Sequence, residues 1–298
     1  MFRKISIKVA FFVNLVLFIV IGLGTIQLAK DQFNRLDEQY KAQAKFDSLV
    51  GAKAVGKLFE EAIDNGAVSA TDAFDTEYQP YGKFEPPKYH TKYDAYADRA
   101  LLSLQDEMLK NPSIVFAVTV DNNGYLPTHN TKYTQPVTGD KDKDKVGNRT
   151  KRIFNDPTGL AAAKNTQPGF VQVYKRDTGE TMWDVSSPII VKGKQWGNFR
   201  IGLSIDALQK AKMTLLTHLL LSMAVILAIS FILVFYTIKK ALDPLAALTQ
   251  TASRMADGDV NEQIFAASND EIGDLAEVLE RMRISLKTAM ERLMKRQV

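Results

Sequence analysis

Residues 215–236 read LLTHLLLSMAVILAISFILVFY, with no Asp, Glu, Lys or Arg among them. A helix rises about 1.5 Å per residue and a bilayer core is about 30 Å thick, so ~20 apolar residues cross it. This run is long enough, and Lys239-Lys240 follow it at once. Basic residues at that boundary place the following segment on the cytoplasmic side. A second apolar run, residues 9–28, is preceded by Arg3, Lys4 and Lys8. It exceeds the ~7–15 apolar residues of a cleaved signal peptide. The expectation is a retained membrane helix that flows outward into another helical pattern. Two crossings with both ends inside leave residues 30–212 outside.

The chain of 298 residues contains no cysteine. The outer segment must therefore hold together without disulfides, and thiolate metal sites are excluded. A formal net charge of +4 is too small to argue for nucleic acid. The three histidines, His90, His129 and His218, lack the spacing of a metal-binding pair, and no Gly-rich phosphate loop precedes a helix. The sequence thus gives no sign of an enzyme, a metal or a cofactor.

In the outer segment, Val55, Leu58, Phe59, Ala62 and Ile63 recur at helical spacing, ending at Asn65-Gly66. Residues 69–93, with Pro80 and Pro86-Pro87, read as an irregular packed loop. Asp94 is expected to cap a helix reaching Leu109. The period then becomes extended. Residues 114–120, 125–129, 170–175, 181–190 and 197–205 read as five strands, mostly joined by hairpins. Helices before a run of hairpins argue an α+β domain on one antiparallel sheet.

A strand ending in Asp121-Asn122-Asn123-Gly124-Tyr125, a following strand with Thr128-His129-Asn130, a long excursion and a three-strand meander resemble a Cache domain. So do residues 148–154 (NRTKRIF) and 176–180 (RDTGE). Cache domains are extracytoplasmic PAS-like sensors of bacterial receptors. The resemblance implies a small ligand between the sheet and the loop at residues 130–169. That loop carries Arg149, Lys151 and Arg152, and a guanidinium can grip a carboxylate with two hydrogen bonds. A small organic anion is the implied ligand. His129 and Asn130, at the end of the second strand, and the aromatic residues Tyr125, Tyr174 and Trp183 are the other candidates for contact. The same basic loop also reads as solvated surface paired with Asp142, Asp144 and Asp156. Trp183 and Asp184 point to opposite faces of a strand, so both cannot line one pocket without a bulge.

Beyond the second apolar run, Pro244 is expected in the first turn of a helix. Leu245, Leu248, Ala252 and Met255 follow at spacings of a heptad seam, and Gly258 ends the pattern. A second helix begins at Asp270-Glu271, with its seam at Ile272, Leu275, Leu279, Met282, Leu286, Ala289 and Leu293. Two such helices need a partner copy to bury both seams. Pro244, Gly258-Asp259 and Asp270-Glu271-Ile272-Gly273 resemble the landmarks of the HAMP domain of bacterial receptors and sensor kinases. That resemblance implies a parallel homodimer whose bundle repacks when the second membrane helix moves.

The expected organisation is a cytoplasmic N-terminus (1–8), a membrane helix (9–29), a periplasmic Cache-like domain (30–212), a second membrane helix (213–238), a HAMP coiled coil (239–290) and a short tail (291–298). Arg292, Lys295 and Arg296 make the tail basic. The whole resembles the sensory half of a chemoreceptor in a bacterial inner membrane, without the methylated hairpin. Full-length chemoreceptors or a cytoplasmic signalling protein are the implied output partners. The alternative is a membrane-tethered binding or assembly protein, or a truncated receptor, with no output of its own.

Overall fold

The computed structural model describes residues 5–265 and 269–295. Arg3, Lys4 and Arg296, used above, lie outside them. Helix α1 spans Ile5–Asp64 and is followed by the short α2 (Ala70–Ala73). A small hairpin, β1 (Gln79–Tyr81) and β2 (Lys88–His90), leads to helices α3 (Asp94–Ala100) and α4 (Leu102–Met108). Strands β3 (Ile114–Asp121) and β4 (Tyr125–Leu126) come next. Helix α5 (Lys141–Gly147), strand β5 (Arg152–Ile153) and helix α6 (Pro157–Ala163) form the excursion. Strands β6 (Phe170–Lys175), β7 (Thr181–Val191) and β8 (Lys194–Ser204) make the meander. Helices α7 (Ile205–Ala256) and α8 (Glu271–Met294) complete the chain. The chain divides into one compact unit of residues 29–216 and another of residues 1–28 with 217–298.

In the first unit, β3, β8, β7 and β6 form one antiparallel sheet in that order. Alternation along the strands gives it two faces. Ala117, Val185, Phe199, Ile201 and Leu203 pack with Val55, Phe59 and Ala62 of α1. Phe116, Val118, Tyr174 and Met182 belong to a separate cluster with Leu126, Tyr133 and Ala163. The seam of α1 is narrow: Ala44, Ser48, Ala52, Val55, Phe59 and Ala62 are all buried. Its side chains are small where the helix comes closest. A Cβ at Gly56 would stand 2.5 Å from the Ile190 carbonyl oxygen, and one at Gly51 would meet the Phe199 ring. Ser48 and Ser187 join the two elements through their hydroxyls at 2.8 Å. Phe59 stacks on Trp196 at 4.8 Å, and the Trp196 indole N–H donates to Ala73.

Several expectations need correction. Residues 69–93 contain α2 and the β1–β2 hairpin rather than only irregular loop. The expected helix from Asp94 is two helices meeting at Leu101. Asp94 does not cap it, because its carboxylate accepts from the Thr91 and Tyr125 hydroxyls instead. The expected second strand of the sheet is only Tyr125–Leu126, paired with β5 in a separate two-stranded sheet. The Asp121 carboxylate takes the Asn123 and Tyr125 N–H groups, and Pro127 has none to offer. Both remove bonds that a β3–β4 ladder would need. The main sheet therefore has four strands.

The second unit contains two stretches, within α1 and α7, that are apolar and long enough to cross a membrane. Thr25 and Met223 of these stretches meet through Oγ1 and Sδ at 3.9 Å.

Gly56→Ala tests the close approach of α1. Ala is the better helix former by about 1 kcal/mol, yet forcing a methyl into a filled contact costs about 1–3 kcal/mol. The expected outcome is a lower unfolding midpoint, followed by the fluorescence of Trp183 and Trp196.

Candidate functional site

The sheet face away from α1 carries charge. Val118 of β3 and Arg200 of β8 are register partners, and Phe116 and Tyr174 share their face. Leu126 of β4 and His129 after it cover them together with Arg149 and Phe154 of the excursion, and Arg176 follows β6. Together they enclose about 20 Å³. That is room for about one water, so a larger ligand needs more space than this structure holds. The described residues lining this space include three arginines and one histidine, but no carboxylate.

Each guanidinium has a partner, and Arg152, Arg176 and Arg200 each keep one nitrogen without one. Arg200 is buried and bonds Asp184 through Nε at 3.1 Å, while its Nη2 has no partner. Burial opposes its charge, but Asp184 outweighs that and raises its pKa. Arg176 pairs with Glu180 at 3.1 Å and lies 4.6 Å from the centre of the Tyr133 ring. Its Nη2 is also unpartnered. Arg149 donates to Asp177 at 2.8 Å and to the Lys145 carbonyl. Arg152 shares Asp177 at 3.6 Å, and its Nε has no partner. Burial and the neighbouring Arg149 lower Arg152 to about 10. Burial works against ionisation of Asp177, yet its bond to Arg149 holds its pKa below the usual carboxylate range. Buried donors without acceptors are costly. A small anion would satisfy them with charge-assisted bonds.

His129 is buried beside Tyr133, with ring centres 4.7 Å apart. Its Nδ1 accepts the Asn130 N–H at 2.8 Å, which leaves the proton on Nε2. Burial, then Arg149, Arg176 and Arg152, push its pKa well below the ordinary value. Asn130 ties the loop to the sheet, since its Oδ1 accepts the Ala117 N–H.

Of the residues singled out in the sequence, the structure brings His129, Arg149 and Tyr174 to the cavity wall, with Asn130 and Arg152 supporting it. It places three elsewhere. Tyr125 belongs to the α1-side core, its hydroxyl donating to Asp94. Trp183 packs on that same side, under the Lys41 ammonium at 4.7 Å. Lys151 has a left-handed backbone with φ of 62° and turns to Asp98 and Asp94. Arg176, Arg200, Phe116 and Phe154 were missed. Arg200, an arginine between Phe199 and Ile201 in an apolar strand, was the available signal.

The output end has its own geometry. The apolar run and the first seam lie on one continuous α7, so Pro244 sits within that helix and not at a first turn. Gly258, with φ of 94°, ends it, and the Asp259 N–H reaches back to the Arg254 carbonyl. Asp270 caps α8 by accepting the Ile272 and Gly273 N–H groups. Leu248 and Met255 of α7 bury against Ile264 of the connector and Ala276 of α8, with Ile272 and Leu279 packed alongside. Arg283 donates to the Val260 carbonyl at 2.8 Å and pairs with Glu280 at 2.6 Å. Glu280 in turn accepts the Ile264 N–H at 2.9 Å. Leu245 is half-buried, whereas Leu275, Met282, Leu286 and Leu293 remain exposed, Met282 by 53% and Leu293 by 63%.

Residues 236–288 match the HAMP domain family. The HAMP segment thus takes in the end of the second apolar run, the connector and most of α8. No curated protein matches the chain. Among solved structures, the sensor domain of E. coli DcuS is 20% identical, covering 38% of this chain and 72% of that one, with a TM-score of 0.27. The ligand-binding domain of Pseudomonas fluorescens chemoreceptor CtaA, in complex with L-valine, is 14% identical over 59% of this chain and 67% of that one, at 0.27. The ligand-binding domain of Campylobacter jejuni chemoreceptor Tlp3, also with L-valine, is 12% identical over 60% and 66%, at 0.29.

Two measurements follow from the geometry. Below about pH 6.5 the unfolded chain takes up a proton at His129 that the folded chain refuses. The stabilising effect is whole above that pH and is lost as pH falls, at up to ~1.4 kcal/mol per pH unit. His129→Gln is expected to flatten the stability profile of the protein between pH 7 and pH 5. In the HAMP segment, the bond from Arg283, then the Ile264 N–H, holds Glu280 at about 2. Glu280→Gln is expected to loosen the connector, read as faster cleavage at Glu262 by a glutamate-specific protease, with Glu280→Asp intermediate.

Proposed function

We propose that this chain is a transmembrane signal-transduction receptor that senses a small ligand outside the membrane and relays it through its HAMP segment to a cytoplasmic partner. The HAMP match at residues 236–288, on the same helix as an apolar run long enough to cross a membrane, carries the reading. The proposed setting is a bacterial inner membrane, with residues 30–212 in the periplasm. The proposed ligand is a small organic anion, because the Arg149, Arg176 and Arg200 guanidiniums and His129 line a cavity without a carboxylate.

The active species is a parallel homodimer. In one chain the α8 seam exposes Leu275, Met282, Leu286 and Leu293, and a second copy would cover it. Signalling requires two packings of that bundle separated by a few kcal/mol, with the anion favouring one of them. A full-length chemoreceptor or a signalling protein then reads the packing.

Cysteines introduced singly at Leu275 and Met282 test this in membranes. The expected outcome is like-to-like disulfides whose rate shifts when a binding carboxylate is added, together with altered kinase control in co-expressed chemoreceptors. Arg176→Gln is expected to weaken carboxylate binding by roughly 10- to 100-fold, the worth of one charged hydrogen bond. Absent like-to-like pairing defeats the dimer. Pairing that no carboxylate changes leaves a tethered binding protein without output.

A further inference from the structure

We propose that the β1–β2 hairpin and helix α5 form a second binding site, distinct from the guanidinium cavity, that takes a small monocarboxylate with an apolar tail. The hairpin belongs to the proline-containing segment at residues 69–93, and its tip takes no part in lining the first cavity. Between that tip and α5 lies a cavity of about 370 Å³. Small-molecule sites measure about 300–1,000 Å³.

Lys88 is the polar centre of this cavity. Its side chain is buried, and its ammonium donates to the Asn148 Oδ1 and the Thr150 carbonyl. Both acceptors are neutral. An ammonium has three N–H donors, so one donor and a directly bonded counter-charge remain for a ligand. The charged neighbours do not remove that need. Burial, then Arg152 and Lys151, lower Lys88 to about 8, against a weaker opposite pull from Asp144. Asp144 is occupied by the Thr138 N–H and hydroxyl and the Gly139 N–H. Lys83 and Lys141 add positive charge at the mouth. Lys141 pairs there with Glu85, but both side chains are largely exposed and such a pair is worth little.

Phe84 and Val137 supply apolar wall. The Phe84 ring centre lies 5.9 Å from the Lys88 ammonium. A carboxylate held by Lys88 therefore sets a short hydrocarbon or aromatic tail against Phe84. Lys88 also grips the two neighbours of Arg149 in sequence. A ligand that fixes Lys88 steadies the backbone carrying that guanidinium. This consequence rests on the guanidinium cavity being the sensing site; binding at Lys88 does not.

The test titrates the full-length protein in detergent with acetate, butyrate and benzoate, following thermal unfolding by tryptophan fluorescence. Butyrate and benzoate are expected to give saturable stabilisation, stronger than acetate. Lys88→Met, Phe84→Ala and Lys141→Glu are each expected to weaken it, Lys88→Met by at least about tenfold. Arg176→Gln is expected to leave the component of the shift that Lys88, Phe84 and Lys141 control, which separates this site from the first. If Lys88→Met fails to fold, the variants at Phe84 and Lys141 decide. No saturable shift with butyrate or benzoate overturns the proposal. So does a shift that Arg176→Gln abolishes while the Lys141 and Phe84 variants keep it.

Discussion

The close contact of α1 with the sheet is the constraint on which the outer unit depends. Ala44, Ser48, Gly51, Ala52 and Gly56 keep that helix face nearly smooth, so its backbone approaches β7 and β8. Larger side chains, Val55 and Phe59, then fill the space towards Trp196 and Tyr93. Ala97, Leu101 and Leu104 of the α3–α4 segment join α1 in covering that face of the four-stranded sheet. The domain has no disulfide, so the apolar area buried here, worth about 25 cal/mol per Å², must supply much of its stability.

With that face covered by helices, the other is covered by the excursion between β4 and β6, and that cover is polar. Arg149, Arg152, Arg176 and Arg200 are buried there against Asp177, Glu180 and Asp184. Burying charge in this way rarely adds stability over apolar packing, while removing one partner is costly. Such an arrangement keeps the fold intact only while every partner stays in place. The hairpin of residues 79–90 reinforces it from outside, because Lys88 and the Tyr89 N–H hold residues 148–151 in place.

The HAMP segment shows a different balance. Leu248, Met255, Ile264 and Ala276 satisfy each other within one chain, and Glu280 and Arg283 pin the connector. The outer part of the α8 seam is left open. A segment half-satisfied by its own chain keeps its local form while the rest of its seam stays open.

Local sequence determined the two long apolar runs, the helix seam at residues 55–63, the β7–β8 hairpin, the helix end at Gly258 and the helix start at Asp270-Glu271, because each depends on residues close in sequence. The presence of basic residues in the excursion was also legible. What they face was not. Tyr125, Lys151 and Trp183 look like ligand contacts in sequence, and the fold turns each of them elsewhere. Lys151 is turned by a left-handed backbone, Trp183 by strand alternation, and Tyr125 by a carboxylate that captures the backbone N–H groups of its turn. Arg200 reaches the cavity because its register with β3 and β7 sets it on that face, and Arg176 because it continues β6 beside Tyr174. Pairing register is a property of the assembled sheet, so only the tertiary structure could decide which charges share a wall.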